Sequence, residues 1–88
     1  MKILVDKSFE RDVKRLPIQV QKELKEITQK LLVASSLSET NSSKMEGAKN
    51  AYRIRFGSYR IGFYLEEDSI ILSRVLDRKE IYRHFPKK

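Results

Sequence analysis

The sequence predicts an α+β fold in which two N-terminal helices pack on one face of a small antiparallel-dominated sheet. The predicted order is β-α-α-β-β-β with a short C-terminal turn or helix. Two observations support this prediction: apolar residues recur at helical spacing between residues 9 and 31, and they alternate at strand spacing after residue 51. At 88 residues, the chain is expected to form a single domain, residues 1–88.

The first half of the chain contains a predicted strand and two predicted helices. Lys2–Val5 is a short aliphatic run that is typical of a strand. Ser8 is expected to cap a first helix that ends near Leu16, and Pro17 suits the first turn of a second helix. The second helix carries an apolar stripe that should face the core, formed by Val20, Leu24, Ile27 and Leu31.

The second half begins with a serine-rich segment, residues 34–50, that is predicted to be a loop. Three predicted strands follow it: Ala51–Phe56, Tyr59–Glu66 and about Ser69–Leu76. Gly57-Ser58 joins the first two, and glycine at the first loop position fits a type II′ hairpin turn. The third predicted strand has apolar residues on both faces, which indicates a central, buried position.

The first hairpin, YRIRFGSYRIGFY, places all its apolar side chains on one face and its arginines on the other. A two-residue turn sets Arg55 opposite Arg60, and it sets Arg53 opposite Gly62, where open space is expected. Like charges directly opposite each other are destabilising. Because the helices should leave this face free, we interpret it as an anion site, with an ordinary solvated sheet face as the alternative. Arginine binds phosphate with a planar fork and stacks on bases.

The overall charge is compatible with a nucleic-acid partner. Lys and Arg number 19 against 12 Asp and Glu, a net charge of +7, although a well-solvated basic surface would have the same composition. The absence of cysteine excludes disulfides and thiolate metal sites and fits a cytoplasmic protein. No apolar run approaches the roughly 18 residues of a membrane span. No metal-ligand or phosphate-loop motif is present, so neither a metal nor a cofactor is expected.

The C-terminal run DRKEIYRHF adds further basic and proton-transferring side chains. Arginines suit one reaction in particular. RNA carries its own nucleophile, the 2′-OH, and its attack on the adjacent phosphate requires in-line placement, charge stabilisation and proton transfer. Guanidinium groups can supply most of these.

The run from Lys44 to Phe85 resembles the RelE/ParE superfamily of bacterial toxin–antitoxin toxins, in particular its RelE-like branch of mRNA endonucleases. A basic residue, a glycine loop, Y-R-I-R, a turn, Y-R-I, an acidic turn, an aliphatic strand and a closing R-K-E-I-Y carry the resemblance, which extends weakly over the helical half. It implies cleavage of mRNA in the ribosomal A site without a metal, leaving a 2′,3′-cyclic phosphate, and hence inhibition of translation. It also implies inhibition by a cognate antitoxin.

The resemblance also implies roles for individual residues. Arg60 and Arg78 would bind and neutralise the scissile phosphate. Arg53 and Arg55 would hold RNA and assist proton transfer, and Tyr82 would orient the nucleotide or move a proton. The catalytic set is therefore expected to be Arg55, Arg60, Arg78 and Tyr82. Further RNA contacts, besides Arg53, are expected from Lys49, Lys79, Arg83 and His84.

The chain departs from the family pattern at Asp77, where many relatives have histidine. An acid there is expected either to act as a base or to form a salt bridge with Arg78. Because guanidinium stays charged, the general base remains open, with His84 and Glu80 as candidates. A ParE-like gyrase inhibitor and an inactive RNA-binding homologue are the alternative functions. The expected partners are a cognate antitoxin, mRNA and the ribosome, with no membrane.

Overall fold

The computed structural model describes residues 1–86, so Lys87 and Lys88 of the predicted domain lie outside the described residues. Its elements, in chain order, are β1 (Lys2–Val5), α1 (Lys7–Lys14), α2 (Ile18–Val33), a 3₁₀ turn (Leu37–Glu39), β2 (Ser42–Lys44), β3 (Ala51–Phe56), β4 (Tyr59–Glu66), β5 (Ser69–Asp77) and α3 (Ile81–His84). The predicted fold class is confirmed. No helix within residues 1–86 is long and apolar enough to cross a membrane.

The prediction of a plain loop at residues 34–50 is wrong in part, because this segment contains β2. This strand pairs antiparallel with β3, with Ser43 opposite Arg53. It has three residues, Ser-Ser-Lys, and lies at the edge of the sheet. It therefore has no alternation of apolar and polar side chains by which a strand is recognised in a sequence.

The sheet has the strand order β1-β5-β4-β3-β2, with β1 parallel to β5 and the other pairs antiparallel. This order confirms the interior position predicted for β5.

Helix α1 covers the part of the β5 edge that β1 leaves unpaired. Strand β1 pairs only with the first half of β5, and α1 packs against the second half. There, the Ser8 hydroxyl donates to the Ser73 carbonyl over 2.7 Å, so Ser8 does not cap α1 as predicted. The N-cap position belongs to Asp6.

A β-bulge in β5 decides where Arg74 lies. Gly62 is opposite Arg74 and Phe63 is opposite Leu72, so Ser73 is the extra residue. The Arg74 Nε and Nη2 groups donate to the Asp12 carboxylate over 2.7 and 3.1 Å. The backbone N–H of Val75 donates to the same carboxylate over 3.0 Å, which completes the coverage of the β5 edge by α1.

The main core lies between the helices and the predicted apolar face of the sheet. Helix α2 contributes Leu24 and Leu31 from the predicted stripe, and Val20 and Ile27 are partly buried beside them. The sheet contributes the buried side chains Ile54, Phe56, Ile61, Phe63, Ile70, Leu72 and Val75. The helices thus occupy one face of the sheet, as predicted.

The opposite face is not free, contrary to the prediction. A second apolar cluster of Met45, Ala51, Ile81 and Phe85 is buried there, so α3 and the residue after it cover part of the sheet. The Phe85 ring lies against the backbone of Gly62. The space expected beside Arg53 is therefore occupied by Phe85, because residue 62 has no side chain to keep the ring away.

Candidate active site

The first hairpin holds its arginines in the predicted register. Arg55 is directly opposite Arg60, and Arg53 is opposite Gly62. The turn explains why this register is fixed. Gly57 has a φ of 56°, while Ser58 lies outside the left-handed region, and this combination fits the predicted type II′ turn.

Arg60 is the buried member of the opposing pair, with 8% of its surface exposed, whereas Arg55 is exposed. Its Nη1 donates to the carbonyl oxygens of Gly57 and Tyr59 over 3.0 and 2.8 Å. Within residues 1–86 no carboxylate forms an ion pair with Arg60. The guanidinium is thus fixed by neutral carbonyl groups, and its charge is left uncompensated.

The electrostatics of Arg60 show which charges surround it. Burial lowers the pKa of Arg60 below its ordinary value, and the charge of Arg55 lowers this pKa further. Smaller effects come from Tyr82, which raises the pKa, and from Arg78 and Arg53, which lower it. Arg53, Arg55 and Arg78 are therefore each close enough to act on the charge of Arg60; we call these four residues the arginine cluster.

Arg78 belongs to the cluster because it directly follows β5, beside the Gly57-Ser58 turn. Its backbone N–H donates to the Ser58 carbonyl over 2.9 Å, next to the Gly57 carbonyl that holds Arg60. Arg78 and Lys79 line an open cavity of about 350 Å³ at this turn. The Arg60 side chain and the Arg78 backbone are thereby held by adjacent carbonyls of one turn.

Tyr82 adds an aromatic ring beside the cluster. Its side chain is 54% exposed, and the centre of the Arg53 guanidinium lies 5.8 Å from the centroid of its ring. This is within the range of a cation–π contact. The catalytic residues predicted from the sequence are therefore brought together, and Arg53 joins them.

Asp77 makes backbone hydrogen bonds that the sequence did not predict. Its Oδ1 accepts hydrogen bonds from the backbone N–H groups of Lys79 and Glu80 over 2.8 and 2.9 Å. These two bonds lower the pKa of Asp77 below its ordinary value, and the bond from Glu80 has the larger effect. The positive charges of Lys79 and Arg78 lower this pKa further. A lowered pKa makes a poorer base, and no ion pair with Arg78 forms among the described residues. Asp77 shapes the turn that leads into α3.

The other predicted RNA-binding residues are more dispersed. Lys79 is beside Arg78, but Lys49 lines a separate cavity in the loop before β3. Arg83 and His84 both approach Glu80, at 3.7 and 3.5 Å, and His84 lines another cavity with Arg11 and Arg74. The two candidate bases, Glu80 and His84, therefore lie side by side on the surface.

Two polar residues near the cluster escaped sequence analysis. Asn41 and Ser43 line a cavity of about 230 Å³ with Arg53 and Arg55. They belong to the unpredicted β2 region, so the serine-rich composition gave no signal for them. Within residues 1–86, no group of three or more His, Asp or Glu residues is arranged to hold a metal ion.

Comparisons with known proteins give a consistent result. The family model described as the ParE toxin of the type II toxin–antitoxin system, parDE, matches residues 3–82. Toxin RelE3 of Methanocaldococcus jannaschii is 42% identical over 88 residues, which cover 98% of this chain and 100% of the relative. This relative comes from an archaeon, so the bacterial source in the sequence-based prediction is unconfirmed.

Solved structures show the same fold. The toxin of the RelB–RelE antitoxin–toxin complex from Methanococcus jannaschii is 40% identical, with a TM-score of 0.79, over 94% of this chain and 99% of that one. A chain of the RelBE2 toxin–antitoxin complex from Mycobacterium tuberculosis is 18% identical, with a TM-score of 0.74, over 88% of this chain and 96% of that chain. The isolated RelE toxin of E. coli is 19% identical, with a TM-score of 0.65, over 93% of this chain and 90% of that chain.

Proposed function

The chain belongs to the ParE/RelE family of type II toxin–antitoxin toxins and is RelE-like, and from this premise we propose that it is a metal-independent endoribonuclease that cleaves mRNA. The observation that carries the proposal is the arginine cluster around the buried, uncompensated charge of Arg60. We place the cleavage at the ribosomal A site, so that it inhibits translation. The likeness to RelE toxins favours this function over gyrase inhibition.

The proposed reaction uses the RNA's own nucleophile. The 2′-oxygen forms a bond to the adjacent phosphorus as its proton leaves, and the bond from phosphorus to the 5′-oxygen breaks. That oxygen takes up a proton, so the products are a 2′,3′-cyclic phosphate and a 5′-OH. The phosphorane between these states carries more negative charge than the substrate, and fixed cations stabilise it selectively.

Arg60 is suited to stabilise this charge because its guanidinium is already oriented. Nη1 is held by the Gly57 and Tyr59 carbonyls, whereas Nε and Nη2 make no hydrogen bond to residues 1–86. No fully buried side-chain nitrogen or oxygen among these residues lacks a partner, so Nε and Nη2 each keep some exposed surface. They can donate to two phosphate oxygens, and Arg78 at the same turn can supply a second cation.

The remaining predicted residues have roles around this centre. Arg53 and Arg55 bind the RNA backbone, and Tyr82 orients a nucleotide with its ring or moves a proton. Outside the cluster, further contacts with RNA come from Lys49, Lys79, Arg83 and His84. Lys79 lies beside Arg78, whereas Lys49, Arg83 and His84 are more dispersed, and we assign all four to affinity and not to the chemical step.

We further propose that residues 1–88 form one toxin domain that acts in the cytoplasm, where ribosomes and mRNA are present. Its regulator is a cognate antitoxin, as in the RelB–RelE complexes of its relatives. A cluster of positive charge requires counter-charge in a tight complex. We therefore expect an acidic antitoxin segment to cover Arg53, Arg55 or Arg60, or to displace the Tyr82 segment.

The proposal is tested by incubating the purified chain with ribosomes that carry a defined message and mapping the ends of the fragments. We expect cleavage within the A-site codon, with a 2′,3′-cyclic phosphate and a 5′-OH. Chelation of divalent ions should affect only the integrity of the ribosome. An intact message together with inhibited DNA supercoiling by gyrase would support the ParE-like alternative instead.

A further inference from the structure

Helix α3 carries Tyr82 but is too short to hold its own position. It has four residues, and an isolated helix of this length is not stable in water. Its location must therefore come from contacts with the rest of the chain. Ile81 and Phe85, one helical turn apart, are 0% and 1% exposed and pack with Met45 and Ala51. Tyr82, between these two anchors, points away from them and is exposed.

The Phe85 anchor depends on the absence of a side chain at Gly62. A Cβ atom at this position would lie 2.5, 2.6 and 2.8 Å from three carbons of the Phe85 ring, closer than real Cβ contacts. The ring cannot easily move aside, because Tyr64 packs against it with 4.9 Å between the ring centroids. Any other residue at position 62 would therefore displace Phe85.

Gly62 occupies a strand position at which glycine is normally unfavourable. Gly62 lies in the middle of β4, between β3 and β5, where glycine weakens a strand. Its conformation does not require glycine, since only Gly47 and Gly57 among the glycines have positive φ. The close approach of Phe85 supplies the reason.

We propose that Gly62 is a positioning residue that seats Phe85 and thereby sets the Tyr82 ring against the arginine cluster. Gly62 is directly opposite Arg53, whose guanidinium lies 5.8 Å from the Tyr82 ring centroid. Gly62 thus neighbours Arg53 across the strands and is linked to Tyr82 through Phe85. The catalytic consequence rests on the proposed ribonuclease function, whereas the placement of Tyr82 does not.

The placement is measured by NMR on the full chain. The Tyr82 ring should shift the side-chain resonances of Arg53, and Tyr82→Ala defines the value without a ring. In Gly62→Ala we expect the Arg53 resonances to move to the Tyr82→Ala position. Arg53 resonances that stay at their wild-type position in a folded Gly62→Ala protein would overturn the proposal. Phe85→Ala provides the same test without a new side chain in the sheet, should Gly62→Ala fail to fold.

The catalytic consequence is measured by single-turnover cleavage of a ribosome-bound message. Gly62→Ala should lower the cleavage rate constant by about 100-fold, the scale of a misplaced catalytic group. The affinity should fall less than about threefold, because Arg53, Arg55 and Arg60 remain on β3 and β4. Equal cleavage by wild type and Gly62→Ala would overturn the positioning role while the ribonuclease function stands. If the wild type cleaves nothing, the ribonuclease function fails, and the NMR result still decides the placement.

A double-mutant cycle separates this role from general destabilisation. Once Phe85→Ala has removed the ring, adding Gly62→Ala should have no further effect on cleavage or on the Arg53 resonances. Equal effects of Gly62→Ala in both backgrounds would contradict the proposal. Ile70→Val, a change in the core on the opposite face, is the control for lost stability and should leave the Arg53 resonances unchanged.

Discussion

Arg55 and Arg60 face each other across β3 and β4, and the second of them is buried. A like-charged cross-strand pair costs about 0.2–1 kcal/mol. The hydrogen bonds from Arg60 to the Gly57 and Tyr59 carbonyls hold the side chain in place despite this repulsion. An anion bound between the two guanidinium groups would remove it. We therefore interpret the pair as charge that is organised in advance for a phosphate.

The first prediction concerns the salt dependence of RNA binding. If the arginine cluster makes about four phosphate contacts, the log–log slope of affinity against salt should be roughly −3. Anisotropy titrations of a single-stranded RNA at several salt concentrations measure it. Arg55→Ala should reduce the magnitude of the slope by about 0.7, whereas Lys14→Ala, an exposed cation on α1, should not. A slope near zero would mean that the positive surface is merely solvated.

The second prediction concerns the Tyr82 ring. Because Arg53 lies over this ring, we expect Tyr82→Phe to keep most of the cleavage activity. Tyr82→Ala should lose a stacking contribution of about 1–3 kcal/mol, roughly 5- to 150-fold in rate. Single-turnover cleavage by the two variants measures the difference. Equal losses would show that the hydroxyl, and not the ring, is what the reaction uses.

The third prediction concerns the buried pair that attaches α1 to β5. Asp12 is 3% exposed and binds both Arg74 and the Val75 N–H. Asp12→Ala should lower the free energy of unfolding by about 3 kcal/mol, since it leaves a partly buried cation unpaired. Urea denaturation measures this, with the exposed Glu10→Ala as control, expected within about 0.5 kcal/mol of wild type. Similar values for the two variants would refute the structural role of Asp12.

The fourth prediction concerns pH. The pKa of Asp77 is lowered in the folded chain, so its stabilising effect is present above the ordinary value of about 3.9 and is lost as the pH falls through the folded pKa. Asp77→Ala should therefore melt below wild type at pH 7, and the gap should narrow in acid. Thermal melting from neutral to acidic pH tests this. A gap that stays constant would mean that the carboxylate charge is not involved.

The sequence predicts β3 and β4 to the residue because alternation and a two-residue turn fix both the strands and their register. It also predicts which arginines meet, since the register decides their partners. It does not predict β2, which has no apolar alternation. Nor does it predict how α3 covers the sheet, because the Gly62–Phe85 contact joins residues that are far apart in the chain and leaves no local pattern.

If the arginine cluster is the active site, Arg60→Ala is the variant that tests this most directly. The measurement is single-turnover cleavage of a ribosome-bound message, with thermal melting of the same preparations. We expect Arg60→Ala to slow cleavage by roughly 10²–10³, the effect of losing one preorganised donor, and Arg60→Lys to be intermediate because it keeps the charge without the planar fork. The melting temperature should stay close to wild type, since the lost hydrogen bonds are offset by the relieved repulsion. Cleavage at the wild-type rate by a folded Arg60→Ala protein would show that the arginine cluster is not the active site.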